Sequence, residues 1–390
     1  MTRLFALVAV WSVLDSAAWC QQEQDHQLPM EHMSGLLTLV QTIPLPHEGY
    51  MDHLAVDGRR QRVFVPQEDV DRLLVVDLKA GKVIREIGLP GAPRTPFYDP
   101  ATDEIWVDAG LDVIALSGDT YDVKKTVHLP ARQELSKPNV HGADKPKGHL
   151  GTDNAAYDPI RGMYYAAFRP QALANSGAHG SIEIVDTNAG KYLGGIEMPG
   201  VDPAGLALEP SGNILYVAMA DVVNDQSHVE VVDIGKRSII AEWPITGGPR
   251  AHAAGLDTAH HRLFVGSYVK GVHVNEPGKL VVMDTQTGRI IQALDSVGGV
   301  DAVQFDPATR RIYVVGTTGT VAIFKQLDPD HYTLLGKVPT GPIAKSGLWV
   351  PDLRQFFSAV PKHIVSTPPY SYDTMEVEAH LMVFDELRDK

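Results

Sequence analysis

The sequence predicts an all-β fold, a seven-bladed β-propeller with four antiparallel strands per blade, on three observations. A thirteen-residue phrase with a turn at its centre occurs seven times, a second two-strand phrase follows most copies, and the final copy lacks a last strand that is found instead near the N-terminus. A phrase of fixed grammar at this spacing means units that cannot bury their own apolar faces and must stack on neighbours.

The seven copies are "HLAVDGRRQRVFV" (53–65), "TPFYDPATDEIWV" (95–107), "NAAYDPIRGMYYA" (154–166), "GLALEPSGNILYV" (205–217), "AAGLDTAHHRLFV" (253–265), "AVQFDPATRRIYV" (302–314) and "SGLWVPDLRQFFS" (346–358). Each reads as a strand, a tight turn and a second strand rich in β-branched and aromatic residues. In six copies an acid leads the turn, and Asp57, Asp99, Asp158, Glu209, Asp257 and Asp306 recur at intervals between 42 and 59 residues.

The second phrase supplies the outer strands: "LLVVDLKAGKVIREI" (73–87), "IEIVDTNAGKYLGGI" (182–196), "VEVVDIGKRSIIAEW" (229–243) and "LVVMDTQTGRIIQAL" (280–294). Two phrases make one blade, with strands a to d running outward from a central channel. In the last blade "LMVFD" (381–385) is strand c, and too few residues follow it for a turn and a further strand. "LLTLVQTIPLP" (36–46) reads as the missing strand d, and its pairing there would remove two open sheet edges. Residues 34–390 are therefore expected to be one propeller domain.

Ahead of that domain, residues 21–33 read as a flexible leader and residues 1–20 as a secretory signal peptide. Arg3, an apolar run from Leu4 to Leu14 and then "DSAAWCQQ" give the three-part layout, with cleavage after Ala18 or after Cys20. A buried first helix is the alternative. Cys20 is the single cysteine, and the bulky Trp19 before it argues against a lipid anchor. The expected location is periplasmic or extracellular, and no later apolar run reaches membrane-spanning length.

Composition agrees with a turn-rich β chain: 44% of residues are hydrophobic, with 35 Gly and 27 Pro. The formal net charge of −14 repels a phosphate backbone, so nucleic acid is not an expected partner.

Strand alternation places the d-to-a and b-to-c loops on one face of the disc, and the insertions at 131–151, 169–180, 219–227, 268–279 and 359–379 all fall there. Long loops on a rigid scaffold are where binding resides. The residue just before each copy should stand at the channel mouth on that face. In blade order these are Asp52, Arg94, Asp153, Ala204, His252, Asp301 and Lys345, and six of the seven can carry charge. His53 and Asn154 follow directly, and Asp202 precedes Ala204 by two.

Three readings of this ring stand side by side. In a structural one, Lys345, Asp52, Arg94 and Asp153 alternate in sign and pair laterally between blades. In a divalent-metal one, the aspartates offer oxygen ligands and the histidines nitrogen, with His53, His149, Asp153 and His252 the favoured set; Arg94 and Lys345 would repel the ion. In a catalytic one, Asp301 orients His252 as a general base while Arg94 and Lys345 hold an anion. No G-x-S-x-G elbow, P-loop or dinucleotide fingerprint is present.

The recurrent "xDPxxxRhYV" and "VVDxxTGKV" phrases, together with "DHLAVD", "VPTGPIAKSGLWVPDLRQ" and "AVPK" in this order, resemble the YVTN-repeat, YncE-like propeller proteins of bacteria. The resemblance covers nearly the whole chain after residue 33. It implies the propeller fold and, because relatives of this kind are described mostly as binding proteins, a secreted monomeric binding or scaffold protein. Its loop-rich face would take a small-molecule ligand, an ion or a partner protein. The same fold also carries lactonases and lyases, so the alternative is a lactonase-like hydrolase or lyase using the ring.

Overall fold

The computed structural model describes residues 35–129, 151–169, 179–221, 226–248, 250–267, 277–366 and 374–387. The expected signal segment and leader, residues 1–33, lie outside the described residues. Seven four-stranded antiparallel sheets follow one another along the chain, with strands a to d in sequence order in the first six. Blade 1, for example, runs Ala55–Asp57, Arg62–Gln67, Arg72–Asp77 and Lys82–Gly88. Blade 7 takes Gly347–Val350, Gln355–Val360 and His380–Glu386 from one end of the chain and Leu37–Pro44 from the other. That last strand pairs antiparallel with strand c, from Leu37 opposite Glu386 to Pro44 opposite His380.

The turn acids explain the regularity of the a-to-b connection. Asp57 Oδ1 accepts the backbone N–H groups of Arg59 at 3.0 Å and Arg60 at 3.1 Å, and Asp158 does the same for Ile160 and Arg161. A carboxylate capping the turn two and three residues ahead replaces hydrogen bonds that the reversing backbone cannot make with itself. Each turn closes on a left-handed residue, Gln61, Asp103, Gly162, Gly212, His261, Arg310 or Arg354, with φ between 52° and 66°.

Packing is between blades. Seven apolar clusters each draw on two neighbouring blades, and the circle closes because one of them joins Ile43, Phe357 and Leu381 of blade 7 to Val63, Val65 and Leu74 of blade 1. Strands b and c carry the load: Val63, Phe64 and Val65 are wholly buried, as are Leu73, Leu74 and Val75. Each such side chain contributes about 1.5–3 kcal/mol by leaving water. Strand d alternates towards solvent instead.

Within the expected long connection 359–379 the chain forms a further hairpin, His363–Ser366 paired with Thr374–Val377. Four-residue strands flanking a Pro-rich segment are too short for alternation to reveal them. No helix among the described residues is long and apolar enough to cross a membrane.

Candidate functional site

Strand a of every blade faces the channel, which narrows to a space of about 170 Å3 lined by residues such as Leu54, Ala155, Leu206, Ala254, Val303 and Leu348. Above it, on the loop-rich face, opens a cavity of about 430 Å3. Asp52, Arg94, Asp153, His252, Asp301 and Lys345, six of the seven pre-strand residues, line this cavity together with His53, Asn154 and Asp202. Ala204, the seventh, is buried and adds no charge. His149 lies outside the described residues.

Most of the ring charge is spent sideways. Lys345 Nζ contacts Asp52 Oδ2 at 2.9 Å and Glu68 Oε1 at 2.8 Å. Arg94 contacts the same two acids, sharing Asp52 Oδ2 at 3.3 Å and taking the other oxygen of Glu68, Oε2, at 3.2 Å, and donates to Asp153 Oδ1 at 2.5 Å. Arg169 then joins Asp153 to Asp202. The alternation of sign thus runs unbroken from blade 7 through blades 1, 2 and 3 to the entry of blade 4.

Burial makes these pairs obligatory. Asp52 is 3% exposed and Arg94 7%. Burial pushes the Asp52 carboxyl up, but Lys345, His53 and Arg94 more than offset this and hold it at about 2. Burial opposes charge on Lys345 too, yet Asp52, Glu68 and Asp301 hold its ammonium well above the usual lysine value. Beneath the ring, Asp108 accepts the Thr95 N–H at 2.7 Å and the Thr152 hydroxyl at 2.6 Å. Those residues flank Arg94 and Asp153, so one buried carboxylate ties the Thr95 backbone to the Thr152 side chain across the Arg94–Asp153 pair.

The remaining arc differs. His252 Nε2 lies 3.1 Å from Asp301 Oδ1, and Ser346 Oγ donates to Asp301 Oδ2 at 2.6 Å. Burial works against charge on Asp301, yet Lys345, His252 and His53 hold its carboxyl well below the usual range. Between blades 4 and 5 lies Arg250, half-buried and lining the cavity. Arg250 makes no side-chain ion pair or hydrogen bond among the described residues, unlike Arg94 and Arg169. Asn154 Nδ2 reaches Asp153 Oδ2 at 3.3 Å, and His53 donates its backbone N–H to Asp52 Oδ1 at 2.9 Å.

For a metal, the structure groups Asp52, His53 and Asp301, whose ligand atoms lie within 4.8 Å of one another. The set suits a divalent cation in kind, but the Lys345 ammonium already contacts Asp52 at 2.9 Å. A built-in cation competes for the same charge. Of the favoured metal set, Asp153 is held by two arginines and His252 by Asp301.

Glu68, Arg169 and Arg250 escaped the sequence reading. Glu68 and Arg169 come from the ends of strand b, outside the repeated phrase. Arg250 stands two residues before His252, as Tyr50 does before Asp52 and Asp202 before Ala204, and all three line the cavity. Extending the pre-strand comparison by two residues would have found Arg250, which the left-handed backbone at φ 56° carries to the cavity from outside the strand.

No protein-family model matches the chain. A chain of Kuenenia stuttgartiensis hydrazine synthase is similar in structure, with a TM-score of 0.64, 14% identity, and coverage of 87% of this chain and 97% of that one. A chain of the mitotic checkpoint complex matches with a TM-score of 0.62, 14% identity, and coverage of 90% and 96%. At this identity the likeness carries the propeller fold alone.

Proposed function

We propose that this chain is a binding propeller whose channel mouth holds a small anionic ligand, a carboxylate or a phosphate ester, in the arc between blades 4 and 6. The observation that carries this reading is Arg250, a cation facing a cavity of about 430 Å3 without a carboxylate partner among the described residues. His252 and His53 line the same opening and would add donors. The buried salt-bridge arc through Arg94 serves as its rigid frame, because charges that are already paired have little to offer a ligand. The sequence phrases support placing it among YncE-like propellers, and residues 3–20 support export from the cytoplasm.

The test is a thermal-shift and calorimetric screen of small carboxylates and phosphate esters at low salt, since a ligand of the native state raises Tm by mass action. Arg250→Gln is expected to abolish the response to the best hit while leaving the unliganded Tm unchanged. A hit whose affinity ignores Arg250→Gln refutes the assignment.

A second reading rests on the His252–Asp301 contact at 3.1 Å. A carboxylate beside an imidazole is the arrangement of a general base, and a lactone or an acidic substrate for elimination fits the cationic arc. Turnover of a lactone panel that disappears in both His252→Ala and Asp301→Asn supports it, and turnover that survives both eliminates it.

A further inference from the structure

Blade 4 carries a second polar cluster, remote from the strand-a ring because it stands on the two outer strands. His228 and Glu230 alternate along strand c, Gln226–Asp233, and Glu230 is directly opposite Glu242 on strand d, Ser238–Ile245. Val229 and Val231 pack towards blade 5, so His228 and Glu230 point to the other side of the sheet.

The matching positions in blade 3 show what a buried acid at this point requires. Counting back from the turn acids Asp186 and Asp233, Glu183 is the counterpart of Glu230, Ser181 of His228, Tyr192 of Ile239 and Gly195 of Glu242. Glu183 receives hydrogen bonds from Ser181 Oγ and, at 2.6 Å, from Tyr192 OH. Blade 4 replaces both hydroxyls, and it puts a second carboxylate where blade 3 has no side chain at all.

Glu230 is only 1% exposed, and neither of its carboxylate oxygens accepts a hydrogen bond among the described residues. His228 Nε2 lies 3.0 Å from Glu230 Oε1 without hydrogen-bond alignment. A buried carboxylate without a donor is costly, and a like charge directly across the strand pair adds to the cost. Yet the three side chains offer one nitrogen and two oxygens within 4.8 Å of one another.

We propose that His228, Glu230 and Glu242 form a binding site for one divalent transition-metal ion, zinc by its donor set, on the outer half of blade 4. One imidazole and two carboxylates are ligands that zinc accepts at about 2.0–2.2 Å, with water completing a four-coordinate shell. The ion would neutralise the two opposed acids and tie strand c to strand d.

The test uses the full chain, with any affinity tag removed, stripped with a chelator and titrated with Zn2+ by calorimetry and by competition with a chromophoric chelator. One zinc per chain and a rise in Tm are expected. Changes to groups that only orient a ligand already cost about 10- to 100-fold in metal affinity, so His228→Ala and Glu242→Gln should each cost at least that and remove the Tm response. Glu242 is exposed, so its variant reports on binding and not on folding. His53→Ala, at the channel mouth, should leave the zinc stoichiometry and affinity unchanged. Absence of zinc binding, affinity unchanged in both blade 4 variants, or loss of binding in His53→Ala instead would each overturn the proposal.

Discussion

Removing Arg94 is the sharpest probe of whether the ring holds the blades in register. Arg94→Met keeps the bulk of the stem and deletes the charge, leaving Asp52, Glu68 and Asp153 buried with one cation fewer. Breaking a buried ion pair by removing one partner costs about 3–5 kcal/mol. Lys345 still serves Asp52 and Glu68, and Arg169 still serves Asp153, so the lower end applies. From Leu37 to Glu386 the domain spans about 350 residues, and at about 2.1 cal/mol/K per residue a loss of about 3 kcal/mol lowers Tm by about 4 °C. The pH dependence adds a signature. Asp52 is held at about 2 against an ordinary 3.8, so its stabilisation is complete above about pH 4 and is lost as pH falls towards 2. Lys345 and His53 lower that carboxyl more than Arg94 does and remain in the variant, so without Arg94 it moves only part of the way back towards its ordinary value and has somewhat less to lose. The Tm gap between wild type and variant should therefore narrow on acidification, as followed by calorimetry from pH 7 to pH 3. A gap below about 1 °C at pH 7, or one that widens in acid, refutes the reasoning.

Two further outcomes concern the scaffold. Deleting residues 35–46 removes strand d of blade 7 and exposes the edge it covers, so the truncated chain should aggregate where the intact one elutes as a single species in size-exclusion chromatography. At Gly205 a side-chain carbon would come within 2.5 Å of the Ala253 carbonyl carbon in the neighbouring blade. Gly205→Val should lower Tm by more than Arg94→Met does, because backbone is what must move, and an equal or smaller loss would show that the channel wall gives way more easily than its packing implies.

How far the sequence could be read follows from what each feature depends on. Turn acids and alternating strands are local, so the seven phrases mark strands a and b directly, and Leu37–Pro44 could be assigned to the last blade because a blade with three strands is incomplete. The mouth positions were equally legible, since the pre-strand residue occupies the same place in every blade. Pairing was not. Lys345 and Asp52 are 293 residues apart in sequence, and their contact exists only once the circle is closed. Glu68 and Arg169 leave the strand ends in directions set by tertiary packing, and the hairpin at His363–Ser366 is too short to show a period. Counting from the turn acids aligns Glu230 with Glu183, but spacing alone could not reveal that Ser181 and Tyr192 hydrogen-bond Glu183 and that Glu230 has no such donors among the described residues, because those contacts exist only in the folded blade.

The antiparallel seam between Leu37–Pro44 and His380–Glu386 has a kinetic corollary. During translation the segment that finishes the ring is made before every other strand, yet its partner emerges only after all the remaining blades have left the ribosome. The two apolar clusters that include Leu36, Leu37, Ile43 and Leu45 must wait for that meeting, and contacts so distant along the chain form slowly. Escort of the nascent polypeptide until Glu386 is clear would then govern yield more than any single side chain does.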